Sequence, residues 1–165
     1  MRISEAWPLF EAERRLQGYS PYTLKAYKLQ ARLLAEHLED PHIEEVKTKD
    51  LKEYLAAQTH LKPSSIDHRI RYLKSLFRWA QDENIVNGNP AAKIRSPKIG
   101  QRLPKALSEE DVEMLREAYE GAFEHALVEL IYTTGCRIGE IHQLNRGDLN
   151  FNQRSVVVRG KGDKD

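Results

Sequence analysis

In the stretch YTTGCRIGEI, Tyr132 to Ile141, an arginine stands where an apolar run ends. Arg137 follows two threonines, a glycine and a cysteine, and Glu140 comes three residues later. Gly135 permits a tight or positive-φ turn. The spacing predicts a helix that stops near Ile131 and a short one, RIGEIHQLN, with Arg137 in its first turn. A guanidinium there is planar, permanently charged and forked, so it suits a phosphate or a carboxylate. Backbone N–H groups at a helix start favour an anion as well. The same spacing also suits a plain Arg137–Glu140 ion pair on an exposed helix, and the local chemistry leaves both readings open.

Other chemistries find less support. The six histidines, His37, His42, His60, His68, His125 and His142, show no H-E-x-x-H and no paired ligand spacing, so no metal site is expected. No G-x-x-x-x-G-K-[ST] segment appears, so no nucleotide cofactor is expected either. Cys136 is the only cysteine, which leaves no intrachain disulfide; it reads as a small residue for a buried position rather than as a nucleophile.

The charges are unevenly distributed. Twenty-six Lys and Arg against 25 Asp and Glu give a net charge of +1. Yet no acid lies between Glu83 and Glu109, an interval that holds Lys93, Arg95, Lys98, Arg102 and Lys105. Acids crowd instead into Glu36–Glu53 and Glu109–Glu129. At helical spacing, Lys25, Lys28 and Arg32 form a stripe at i, i+3, i+7, and Arg71, Lys74 and Arg78 form a second. Two stripes and a linker of one sign suit a surface that tracks the phosphates of duplex DNA, which is held mainly by such charges. Ordinary solvated faces are the competing reading.

The elements that must position these residues are mostly helical. Ser4–Gln17 reads as a helix capped by Ser4 and stopped by Gly18. A second opens with Ser20 as cap and Pro21 at the first position, and ends near Asp40-Pro41. A third starts near Thr48, and a fourth runs from about Ser65 to Glu83 before NGNP breaks it. Leu24, Tyr27, Ala31, Leu34 and Leu38 face inward on the second helix, and Ile66, Ile70, Leu73, Phe77 and Ala80 on the fourth. Residues 1–92 therefore read as a four-helix bundle, 93–105 as a basic linker and 106–165 as a second unit. That unit opens with a capping box at Ser108 and Asp111. It continues with AFEHALVELIYTT, apolar almost all round and so expected to be buried. It closes on a β-hairpin turning at Asn152-Gln153, with the β-branched run Val156–Val158 as a strand. No run approaches about 18 apolar residues, so no membrane span is expected. The first residues lack an apolar signal core, which points to the cytoplasm.

LIYTTGCRIGEIHQLNRGDLNF followed by VVVRGKGDK closely resembles the tyrosine recombinases of the phage-integrase type, the Xer-like enzymes among them. The family pattern is an apolar helix, T-G-x-R-x-x-E, a leucine, D-(I/L), and a hairpin with G-K-G. YSPYTLKAY resembles the family's S-x-x-T-x-x-x-Y helix opening, and RIRYLKSLFRWAQDENIVNGNPA its R-x-F-F helix and N-P-A exit. The resemblance covers nearly the whole chain. It implies a mainly α fold: a SAM-like core-binding bundle, then a partial α/β catalytic domain with a short β-hairpin. It implies that Arg137 binds the nonbridging oxygens of the scissile phosphate, that Glu140 buttresses it, and that Lys161 protonates the leaving 5′-hydroxyl. Lys25, Lys28, Arg32, Arg71, Lys74, Arg78, Lys93, Arg95 and Lys98 become the DNA-binding set.

The departure from the pattern is large. Family members continue to an H-x-x-R motif and a nucleophilic tyrosine. Here His142 is followed by Gln143, Leu144 and Asn145, and the last tyrosine, Tyr132, precedes Arg137. The resemblance thus implies an incomplete catalytic domain, inactive alone, within a parent that cuts and rejoins DNA through a 3′-phosphotyrosyl intermediate. HALVELIY and Val156–Val158 lack partners in such a unit, which implies self-association or pairing with other recombinase protomers. A non-enzymatic DNA-binding module and an interaction protein derived from a recombinase are the alternatives.

Overall fold

The first unit of the chain, Met1–Arg102, is organised around Phe10, and the second is Leu103–Asp165. The computed structural model describes residues 1–100 and 106–160. In the first unit α1 (Ile3–Leu16), α2 (Pro21–Leu38), α3 (Thr48–Ala56) and α4 (Pro63–Asp82) form the bundle, with a 3-10 turn at Ile43–Glu45. α2 touches each of the other three helices. Phe10 is fully buried and meets Trp7, Tyr27, Tyr72 and Trp79 at ring-centroid distances of 6.0, 6.0, 6.4 and 5.5 Å. Such aromatic contacts add to the stabilisation from area burial. The inward faces read from the sequence are the observed ones: Leu24, Ala31 and Leu34 on α2 and Ile70, Leu73, Phe77 and Ala80 on α4 are buried, and Tyr27, Leu38 and Ile66 pack partly exposed against them.

The helix ends follow local chemistry, with two corrections. Ser20 Oγ accepts from the Thr23 N–H at 3.3 Å and Pro21 takes the first helical position. Ser4, expected to cap α1, lies inside it, and Arg2 is the N-cap, its N–H donating to Glu5 Oε2 at 2.8 Å. Ser4 is used at long range instead. Its N–H and hydroxyl donate to the two carboxylate oxygens of Asp40 at 2.9 and 2.6 Å. That clamp holds the end of α2, where Glu39 and Asp40 both take positive φ, 61° and 51°. The second correction is the start of α4, which is Pro63 rather than Ser65, because proline suits a first helical position.

In the second unit α5 (Glu109–Glu117) carries the expected capping box: the Asp111 N–H donates to Ser108 Oγ at 3.1 Å and the Ser108 N–H to Asp111 Oδ2 at 3.0 Å. α6 spans Ala122–Thr134 and stops at Gly135, φ 65°. α7 is one turn, Ile138–Ile141, and a 3-10 turn at Arg146–Asp148 leads into β1 (Leu149–Asn150) and β2 (Ser155–Val156). The strands are antiparallel, Leu149 opposite Val156 and Asn150 opposite Ser155, around the expected turn. They are shorter than Val156–Val158 suggested, although the Val157 N–H still donates to the Asp148 carbonyl at 2.9 Å.

α6 overturns one expectation. Its composition predicts a buried helix, yet none of its residues is buried, and Tyr132 is 53% exposed. Val112 on α5 is the one buried residue of the second unit among those described. Apolar composition creates a demand for cover, and the described residues do not supply it.

Candidate nucleic-acid interface and phosphate site

Gly135 ends α6 in the left-handed conformation, and the chain reverses through Cys136 into Arg137. Two threonines close the helix: Thr133 Oγ1 and Thr134 Oγ1 donate back to the carbonyls of Glu129 and Leu130, at 2.6 and 2.5 Å. Arg137 is the N-cap of α7 rather than part of its first turn, because its extended φ and ψ, −71° and 147°, place it outside the helix. With α7 only four residues long, the favourable helix start read from the sequence contributes little.

What fixes Arg137 is Glu140. Its Oε2 accepts from the Arg137 N–H at 2.8 Å and its Oε1 from Nη1 at 2.7 Å. These two bonds, backbone first and guanidinium second, hold the Glu140 carboxyl below the usual carboxylate range. The Glu140 side chain is 15% exposed while that of Arg137 is 83% exposed. The ion pair thus occupies Nη1 of the guanidinium while most of the Arg137 side chain stays exposed. Cys136 is half-buried, not buried. Lys161 lies outside the described residues. A feature the sequence reading missed is Arg116, which donates to Glu129 at 2.5 and 3.0 Å and to Glu113 at 2.5 Å, tying α5 to α6. Glu113 at i−3 was the only local signal for it.

The two basic stripes do not share a border. Lys25, Lys28 and Arg32 are exposed and line a groove of about 610 Å³ between α2 and α1, beside Ser4 and Trp7. Glu36, Glu39 and Asp40 line the same groove, and Arg32 pairs with Glu36 at 3.4 Å. A different side of α2 meets α4, where the rings of Tyr27 and Tyr72 lie 5.3 Å apart. Arg71 and Arg78 are exposed and Lys74 is half-exposed along α4.

The exit segment joins the α4 stripe. Asn89 Nδ2 donates to the Lys74 carbonyl at 3.4 Å. Ala91 and Ile94 beyond it are buried in the first unit's core, so that core reaches into the segment read as a linker. Lys93, Arg95 and Lys98 on this segment are exposed. Asp67 itself is 5% exposed, and Arg71 donates to it through Nε and Nη2 at 2.8 and 2.7 Å. The Ser96 hydroxyl foremost, and Arg71 with it, hold its carboxyl below the usual range. Asp67 and Ser96 were absent from the sequence reading. The i, i+4 spacing of Asp67 to Arg71 was a visible signal, whereas nothing local marks Ser96.

No group of His, Cys, Asp and Glu among the described residues is arranged to hold a metal ion. No helix among them is long and apolar enough to cross a membrane.

Residues 9–86 match the phage integrase N-terminal SAM-like domain, and residues 105–165 match the phage integrase family. The chain belongs to that family, the tyrosine recombinases. It is similar to the tyrosine recombinase XerC of Oceanobacillus iheyensis, 32% identical over 156 residues that make up 88% of this chain and 51% of that protein. To XerC of Chromobacterium violaceum it is 30% identical over 171 residues, 99% of this chain and 57% of that one. It spans about half the length of the curated relatives it matches. Its fold is that of a lambda integrase tetramer bound to a Holliday junction, with a TM-score of 0.81 at 20% identity over 98% of this chain and 48% of that one. It is also that of the Tn1549 transposon integrase in complex with transposon right end DNA, TM-score 0.72 at 21% identity over 98% and 55% of the two chains.

Proposed function

We propose that the chain is the DNA-binding and phosphate-orienting half of a site-specific tyrosine recombinase. The observation that carries this reading is the outer face of α4, where Arg71, Lys74 and Arg78 follow one another and an acid-free exit segment is tied to the helix through Asn89. Phosphates supply most of the affinity for duplex DNA, and cations on one continuous surface follow a backbone better than scattered ones. The lambda and Tn1549 integrases, similar in fold, are described bound to DNA, which supports the same substrate here. Lys25, Lys28 and Arg32 form a second, partly neutralised patch that adds to the field.

Within this reading Arg137 binds the nonbridging oxygens of the scissile phosphate, Glu140 holds its fork, and Lys161 protonates the leaving 5′-hydroxyl. Phosphoryl transfer needs positive groups where charge develops and a proton donor at the departing oxygen. The full-length recombinase cuts and rejoins strands through a 3′-phosphotyrosyl intermediate, with other recombinase protomers on the same DNA. It works in the cytoplasm, and the roles named need no metal or nucleotide cofactor.

The test is binding of the 165-residue chain to duplex DNA across a salt series. Lys74→Ala and Arg78→Ala weaken binding on all sequences and lower the salt slope by about one for each phosphate no longer neutralised. Alanine at Glu44 or Glu45 leaves binding intact. Unchanged binding by the Lys74 and Arg78 variants refutes the α4 face.

A further inference from the structure

Arg137 is reached through a turn whose backbone donors are all taken. The Gly135 N–H donates to the Ile131 carbonyl at 2.9 Å, the Cys136 N–H to Thr134 Oγ1 at 3.3 Å, and the Arg137 N–H to Glu140 Oε2 at 2.8 Å. The first is an ordinary helix ending at a left-handed glycine, and the third belongs to the pair with Glu140. The second is made by a side chain that has another tie. Thr134 Oγ1 also donates to the Leu130 carbonyl at 2.5 Å. One hydroxyl thus joins the last turn of α6 to the residue immediately before Arg137.

A threonine that bonds back to the carbonyl four residues earlier is common in helices and by itself says nothing about function. Its neighbour supplies the contrast. Thr133 makes the same backward bond, to the Glu129 carbonyl at 2.6 Å, and among the described residues no forward one. Both threonines are exposed, and the bond to Cys136 sets them apart. The point of attachment on α6 is itself held, because Arg116 of α5 grips Glu129, next to Leu130, through Nε and Nη2 at 2.5 and 3.0 Å. Gly135, at φ 65°, is the loosest link of the reversal, since glycine gives up more freedom on ordering than any other residue. A restraint that reaches across it therefore matters more than one within the helix.

We propose that Thr134 is a positioning residue for Arg137: its hydroxyl fixes the turn from the α6 side as Glu140 fixes it from the α7 side, so that the guanidinium is in place before a phosphate arrives. The proposal rests on the phosphate-binding reading of Arg137 above. Misplacing a reacting group by about 1 Å costs on the order of a hundredfold in rate. A turn loosened on one side therefore slows the reaction without touching the DNA-binding face.

The experiment compares Thr134→Val, Thr134→Ser and Thr133→Val. In the 165-residue chain, hydrogen exchange of the Cys136 amide is about tenfold faster in Thr134→Val, the worth of one hydrogen bond, and keeps the parent's rate in Thr134→Ser and Thr133→Val. The second arm joins the chain in frame to the part of a XerC relative that it does not span and follows covalent adduct formation on a nicked duplex at saturating protein. Thr134→Val lowers that rate about tenfold and leaves the affinity for the duplex unchanged. Thr134→Ser restores the rate, and Thr133→Val keeps it. A role confined to the end of the helix would slow the two valine variants alike. Unchanged exchange of the Cys136 amide in Thr134→Val, equal slowing by the two valine variants, or failure of Thr134→Ser to restore the rate overturns the proposal. Where the joined protein forms no adduct, the exchange arm decides. If Arg137→Ala forms the adduct as fast as the parent, the phosphate reading falls and the role of Thr134 falls with it. Slowing by Arg137→Ala, with indifference to Thr134→Val, removes only the positioning role.

Discussion

The two units are made of similar residues and differ in what those residues bury. The first closes an aromatic core on itself: Phe10, Leu34, Leu51, Leu73 and Phe77 are all fully buried. The second has comparable apolar material, with a run from Ala126 to Ile131 broken only by Glu129, yet buries only Val112 among its described residues. Phe123, Leu127, Leu130, Ile138, Ile141 and Leu144 line an open groove of about 690 Å³ between α6 and α7. Hydrophobic stabilisation follows area removed from water rather than composition. What holds the second unit together is therefore more polar and more local: the Ser108 capping box, the Arg116–Glu129 pair and the Arg137–Glu140 pair.

The largest consequence of that contrast is in stability. Phe10→Ala removes the hub of a closed core and costs about 3–5 kcal/mol, measured by denaturant unfolding. Leu127→Ala, on the open groove, costs less than about 1 kcal/mol. Native-state hydrogen exchange sharpens the comparison: amides of α4 exchange only by unfolding of the first unit, while those of α6 exchange faster. Equal protection in the two helices breaks it, and so does a Leu127→Ala cost near that of Phe10→Ala.

A smaller effect follows from Glu140. Its carboxyl lies below the ordinary carboxylate range in the folded chain because the Arg137 N–H and guanidinium bond the charged form. A depressed folded value means that the stabilisation is complete above the unfolded value of about 4.3 and is lost as pH falls through the folded one. The turn around Arg137 should thus loosen only as pH falls below that unfolded value, seen as a loss of protection of the Arg137 amide in acid. Glu140→Gln should abolish that acid dependence. An Arg137 amide indifferent to pH in the parent would separate the pair from the order of the turn.

Much of the first unit was legible because its signals are local. Ser20-Pro21 opens α2, and the apolar positions of α2 and α4 repeat at helical spacing, so short-range preference and burial agree. The role of Ser4 was not legible, since a serine near a helix start is an ordinary cap until Asp40 arrives from far along the chain. The Arg137–Glu140 pair was legible for the same reason α2 was: its partners are three residues apart. The meeting of the exit segment with α4 was not, because Asn89 carries no sign of which carbonyl it will reach. The exposure of α6 was hidden too, for a sequence records what an apolar helix requires and not what covers it.

The central claim is that Arg137 is presented, already oriented, to a phosphate of DNA. The direct measurement is covalent adduct formation on a nicked duplex substrate by this chain joined in frame to the part of a XerC relative that it does not span. The joined protein forms an adduct, and the 165-residue chain forms none. Arg137→Ala lowers the rate about 10²–10³-fold, the usual loss for one charge-stabilising donor. Arg137→Lys also lowers it, because a point charge does not reproduce the fork. An adduct formed by the 165-residue chain itself, or an Arg137→Ala protein as fast as its parent, contradicts the account.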